Sequence, residues 1–270
     1  MTAVGIRERL RNGEAVVGGW CAIANSYSAE IVAHARPDYV AIDMQHGLAD
    51  FTDVVPMLQA IAVHGPTPIV RVPQGDHATA QRVLDAGAEG VIFPVVNSAE
   101  DASAAVATCR FPPGGARSYG PIRARMHLGL DPEIHNREVL CLVQVETVTA
   151  VEHLAEILAA GVDGVYVGPN DLALSLGLPV SARDDTAITE ILDNVVAACR
   201  ASELIPAIHT TSGGAARAAL ERGFRMATVT SDAALLANAY ERELAGARGG
   251  TARLLEGVHR VIDNLEHTKP

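Results

Sequence analysis

The chain has 270 residues, 49% hydrophobic and only 4% aromatic, with a formal charge of −11. That is enough apolar material for one large core built from Ala, Val, Leu and Ile, so residues 1–270 read as a single domain. With no Lys/Arg stripe to track phosphates and no run of about 18 apolar residues to cross a bilayer, nucleic acid and membrane are excluded as partners. The cysteines, Cys21, Cys109, Cys141 and Cys199, form no CxxC pair. The first 20 residues, with Arg7, Glu8, Arg9 and Arg11, lack the apolar stretch of a signal peptide. Reduced thiols in a cytoplasmic protein are expected.

Along the chain, short apolar runs recur at Ala15–Ile23, Tyr39–Met44, Pro68–Val72, Gly90–Val96, Leu140–Glu146, Gly164–Gly168, Ile205–Thr210 and Met226–Thr230. Each is nearly continuous rather than alternating, the signature of strands buried on both faces. Helical patterns separate them at Ser28–Ala35, Thr52–Val63, Ala78–Ala86, Ala99–Cys109, Ala150–Ala159, Thr186–Ala201, Gly214–Arg222 and Ala233–Ala245. Eight strands alternating with eight helices predict a (β/α)8 TIM barrel. An open doubly wound sheet would want a Gly-rich phosphate turn after its first strand, and Asn25-Ser26-Tyr27-Ser28 is not one. Two segments break the alternation. Pro112–Val139 has the length of a lid or binding loop. The tail Gly249–Pro270 reads as an extra amphipathic C-terminal helix, packed on its own barrel or on a neighbouring subunit.

In such a barrel chemistry gathers at the C-terminal strand ends. There the runs deliver Asp43, Gln45 and His46, then Arg71, then Gln144 and Glu146, then Asn170 and Asp171, then His209, and last Ser231 and Asp232. Charges at the ends of apolar strands are costly to desolvate unless they are paired or bind a metal. Glu146 and Asp171 end consecutive strands, and two adjacent carboxylates suit a divalent ion with oxygen ligands, Mg2+, Mn2+ or Co2+. Structural alternatives are that Glu146 pairs with Arg71 and that Asp171 caps the following helix. Arg71 is either an ion-pair partner or a bidentate clamp on a substrate carboxylate or enolate. His46 is the better general-base candidate and His209 the second; the other histidines read as surface residues.

These stretches together resemble the HpcH/HpaI family of class II pyruvate aldolases. The matching segments are Gly18–Trp20, Asn25–Glu30, Ile42–Gly47, Val70–Pro73, Leu84–Ala88, Arg110–Gly120, Val143–Thr147 and Val167–Leu172, in the order that family uses. The resemblance implies a divalent metal on Glu146 and Asp171, and a substrate-binding Arg71. It makes His46, oriented by Asp85, an acid–base dyad, and it puts Gln144 and Trp20 against the substrate. It also implies an aldehyde-lyase that cleaves or forms 4-hydroxy-2-oxo acids from pyruvate (or hydroxypyruvate) and an aldehyde. The expected assembly is a homo-oligomer, a hexamer or trimer of dimers, whose C-terminal helices are exchanged between subunits. One departure is Gln45, where many members carry Glu before the histidine.

Lys269 is the only lysine, which argues against a Schiff-base mechanism. A metal-dependent 2-oxo acid decarboxylase and a citrate-lyase or malyl-CoA-type lyase would use the same barrel. A CoA site would have to rest on arginine.

Overall fold

The computed structural model describes residues 5–183 and 185–248. A short helix α1 (Ile6–Arg11) leads into β1 (Val16–Cys21), followed by α2 (Ser26–His34), β2 (Tyr39–Asp43), α3 (Phe51–His64), β3 (Thr67–Arg71), α4 (His77–Asp85) and β4 (Gly90–Phe93). Then come α5 (Ala99–Cys109), α6 (Arg125–Leu128), α7 (Pro132–Glu138), β5 (Leu140–Val145), α8 (Val148–Glu152), α9 (Leu154–Ala159) and β6 (Gly164–Val167). The remaining elements are α10 (Pro169–Ser175), α11 (Thr186–Ala201), β7 (Ile205–Ile208), α12 (Gly213–Arg222), β8 (Met226–Ser231) and α13 (Asp232–Ala247). The eight strands pair in sequence order into a closed parallel barrel, with β8 returning to β1. The described residues divide into two compact units between Ser231 and Asp232, and α13 belongs to the second. The expected amphipathic tail from Gly249 lies outside the described residues.

Each apolar run conceals a period of two, because successive side chains on a strand point to opposite faces. On β2, Tyr39 and Ala41 join one buried cluster while Val40 and Ile42 join another. On β5, Leu140 and Leu142 separate in the same way from Cys141, Val143 and Val145. The first cluster fills the barrel interior. Proof of this lies in a hydroxyl chain: Thr228 on β8 bonds Tyr39 on β2 at 3.1 Å and also bonds Tyr166 on β6, joining strands that are not neighbours. Gly18 makes room for that layer, since a Cβ there would sit 2.1 Å from the Tyr39 ring. The second cluster lies between strands and helices. Inward positions that continue this alternation past the apolar layers carry the polar residues described below.

The long connection between α5 and β5 is not a lid over its own barrel. It starts where a helix ends and finishes where a strand begins, so it must lie at the N-terminal end of the barrel. Backbone amides of Arg123 and Ala124 bond the Asp85 carbonyl at 3.0 and 3.1 Å, and the Arg117 guanidinium bonds the Asp85 carboxylate at 2.7 Å. Arg117 also lies over the Phe111 ring at 4.5 Å. His135, expected at the surface, is fully buried on α7, with Nε2 paired to the Gly129 carbonyl at 2.9 Å.

Overpacking a filled barrel layer costs about 1–3 kcal/mol. Gly18→Ala should lose that much stability in urea denaturation. Gly213→Ala, whose added Cβ would meet only Val229 at 3.9 Å, should change it by less than about 0.5 kcal/mol. Equal effects would contradict the packing described for Tyr39.

Candidate active site

At the C-terminal mouth a cavity of about 240 Å3 is lined by Trp20, Asp43, His46, Arg71, Gln144, Gly168, Asn170, Asp171, His209 and Ser231. The inward alternation explains how they arrive. Ile69 leads to Arg71, Leu142 to Gln144 and then Glu146, Ala207 to His209, and Gly18 to Trp20. Three of the lining groups are nearly solvent-free, Asp43 at 2% exposed, Arg71 at 8% and Gln144 at 1%, as is Glu146 beside them at 2%.

Arg71 does not pair with Glu146. Its fork meets Asp43, its register partner on β2, with Nε to Oδ1 at 2.9 Å and Nη2 to Oδ2 at 2.6 Å. Asp43 also accepts the amides of Gln45 and His46 at 3.0 and 3.3 Å and the Trp20 indole N–H at 3.2 Å. Burial alone would raise the Asp43 carboxyl. The bonds and charge of Arg71, with the two amides, outweigh it and hold the group below its usual range. The remaining arm of Arg71 points to Gln144 Oε1 at 3.4 Å, and Gln144 Nε2 donates to Glu146 Oε2 at 2.6 Å. A polar line thus runs from β2 through β3 and β5 to Glu146.

Glu146 receives a second donor from Val95, whose amide lies 2.8 Å from Oε1. Val95 has φ of 54°, which a β-branched residue adopts only under strain of about 1–3 kcal/mol. Nothing in its residue type announces that role. Desolvation pushes the Glu146 carboxyl up to about 7; the Val95 amide opposes this, nearby Asp171 adds to it, and Arg71 opposes it. Gly168 leaves the space beside Glu146 open, since a Cβ there would stand 2.4 Å from Oε2. Asp171 lies in the first turn of α10, which starts after Gly168 with no side-chain cap, so it is not the capping residue.

A buried carboxylate raised partly by a neighbouring carboxylate gains from a cation between them. Among the described residues no group of three or more His, Cys, Asp or Glu gathers. The protein therefore offers two carboxylates, a set that fits a hard ion completing its shell with water and substrate, as Mg2+ does, and does not fit zinc.

His46 sits exposed at the mouth. Asp85, its expected partner, does not join it. Asp85 ends α4 just before β4 begins, at the opposite end of the barrel, and is paired with Arg117. Burial holds its carboxyl above the usual range despite that arginine. Gln45 keeps its side-chain oxygen buried without a hydrogen-bond partner among the described residues. His209 packs edge-on to Trp20 with ring centroids 4.8 Å apart. Burial, then the charge of Arg71, pushes its imidazole down to about 4, so it stays neutral at physiological pH.

Residues 17–239 match the family model for HpcH/HpaI aldolase/citrate lyase. A hydroxypyruvate/pyruvate aldolase of Rhizorhabdus wittichii is 35% identical, covering 90% of this chain and 98% of its own. A 4-hydroxy-2-oxo-heptane-1,7-dioate aldolase of Salmonella arizonae is 35% identical over 94% of this chain and 98% of its own. The crystal structure of an HpcH/HpaI aldolase/citrate lyase family protein from Burkholderia cenocepacia superposes with a TM-score of 0.82 at 33% identity, covering 90% of this chain and 98% of that one. On its sequence, its barrel and its matched span, the chain belongs to the HpcH/HpaI aldolase/citrate lyase family.

Proposed function

We propose that the protein is a metal-dependent aldolase that cleaves or forms 4-hydroxy-2-oxo acids, with pyruvate (or hydroxypyruvate) and an aldehyde as the two halves. The observation that carries this reading is a cavity that holds Asp171 and the Arg71–Asp43 fork, with Glu146 behind its wall, bonded to cavity-lining Gln144. The two relatives described above, both aldolases, support it.

Glu146 and Asp171 would hold a divalent ion, Mg2+, Mn2+ or Co2+, which supplies Lewis acidity favouring enolate charge. Arg71 donates to the oxygens on which negative charge grows, and Asp43 fixes the plane of its guanidinium so that no reorganisation is needed during reaction. Gln144 orients Glu146 through its amide N–H. His46 takes the proton of the 4-hydroxyl as the C3–C4 bond breaks. The bonding pair stays on C3 as the pyruvate enolate, C4 becomes the aldehyde carbonyl, and protonation of C3 completes pyruvate. Trp20 and His209 shape the wall against which the three-carbon unit rests.

The dyad of His46 with Asp85 needs a second subunit, because the two residues occupy opposite ends of one barrel. A homo-oligomer, a hexamer or trimer of dimers, would meet that need. Exposed Leu236, Tyr240 and Leu244, spaced four apart on α13, are consistent with a helix exchanged between subunits.

Glu146→Ala and Asp171→Ala should each abolish Mn2+ binding in titration calorimetry, and normal stoichiometry in either would overturn the ligand assignment. Gln144→Ala should weaken the ion by about 10- to 100-fold. Arg71→Lys should lower kcat for retro-aldol cleavage by about 100-fold or more, followed as pyruvate release, since a single ammonium cannot replace the fork. An unchanged kcat would remove Arg71 from the transition state.

A further inference from the structure

One polar cluster at the mouth takes no part in the chemistry above. Arg183, in the segment between α10 and α11, donates Nη2 to Asn170 Oδ1 at 2.7 Å and Nη1 to Thr211 Oγ1 at 2.8 Å. Asn170 lines the cavity, and Thr211 lies two residues beyond cavity-lining His209. Both acceptors are neutral. Among the described residues no carboxylate stands within ion-pair distance of Arg183, whereas Arg7, Arg71, Arg110 and Arg117 each hold one. The arginine is thus tethered at the rim by neutral groups, with no described carboxylate to compensate its charge.

Two of its five N–H donors are used by the tethers, and among the described residues no acceptor takes the rest. The surroundings make this cation more telling. The chain carries −11 overall, so an anion is repelled except where a local cation draws it in. In the aldolase reading Arg71 and the metal serve the 2-oxo acid half. A neutral aldehyde would have no use for a second cation. His209, next to Trp20, stays neutral and does not compete for the anion.

We propose that Arg183 is the acceptor-side anion receptor, selecting aldehydes that carry a carboxylate or phosphate away from the carbonyl. Asn170 and Thr211 position its guanidinium for bidentate contact with that group. This inference rests on the aldolase reading and names its acceptor class.

The test compares kcat/KM for aldol addition of pyruvate to matched pairs: butanal against 4-oxobutanoate, and glyceraldehyde against glyceraldehyde 3-phosphate. The wild type should favour the charged member of at least one pair, and the pair favoured distinguishes carboxylate from phosphate. Arg183→Ala and Arg183→Gln should each lower kcat/KM for that charged aldehyde by about 10- to 100-fold, the loss expected for a hydrogen bond to a charged group, mainly through KM. The neutral partner should change far less, and Arg183→Lys should recover part of the preference. A wild type with no preference for either charged member overturns the proposal. So does an equal loss on neutral and charged aldehydes, which would make Arg183 a support of the rim. Deuterium exchange into the pyruvate methyl group, which needs no acceptor, separates the two readings. Exchange with a flat aldehyde panel defeats the acceptor assignment alone, and absence of exchange in the wild type defeats the aldolase reading with it.

Discussion

The mouth of this barrel is organised by the two-pronged bond between Arg71 and Asp43. A guanidinium on an apolar strand is tolerable only if its charge is met inside the lumen, and Asp43 meets it from the adjacent register position. Removing one member of such a buried pair costs about 3–5 kcal/mol, because the other charge is stranded. The pair then dictates its neighbours. Asp43 draws in the Gln45 and His46 amides and the Trp20 indole, which sets the turn that carries His46. Arg71 reaches Gln144, and Gln144 reaches Glu146.

The two ends of the barrel use buried charge differently. At the N-terminal end Asp163 is surrounded by Arg7 and Arg110 and takes the Cys141 amide at 2.7 Å. Two cations and an amide satisfy one carboxylate, and the result is a closed floor. At the C-terminal end the balance is reversed. Among the described residues Glu146 has only neutral donors in contact and a second carboxylate nearby, and the strained Val95 backbone helps to hold it there. Between the ends, the Tyr39–Thr228–Tyr166 layer fills the lumen. A pair of carboxylates with no described cation in contact, above a packed floor, is the arrangement that the proposed metal-assisted chemistry would use.

Much of this was legible in the residues themselves. Continuous Val/Ile/Leu runs marked all eight strands, and the polar residues that end them marked the mouth, because chain order alone places strand ends on one rim. Other features were not legible. Which carboxylate Arg71 would choose depended on register, and Asp43 rather than Glu146 faces it. The backbone strain of Val95 and the rim position of Arg183 come from tertiary packing and leave no mark on composition. The buried state of His135 follows from how α7 docks. The long connection before β5 could have been placed from order alone: it precedes a strand, so it belongs to the end opposite the chemistry. The same logic applies to Asp85, which closes a helix rather than a strand and is separated from His46 by the length of the barrel.

On the proposed reading, Glu146 and Asp171 make the carbon–carbon chemistry depend on a divalent ion. Retro-aldol release of pyruvate from a 4-hydroxy-2-oxo acid, measured after thorough chelation with EDTA and again after adding Mn2+, Mg2+ or Co2+, tests it most directly. Chelation should abolish the reaction, and at least one of the three ions should restore it. Undiminished cleavage by the metal-free protein would contradict it.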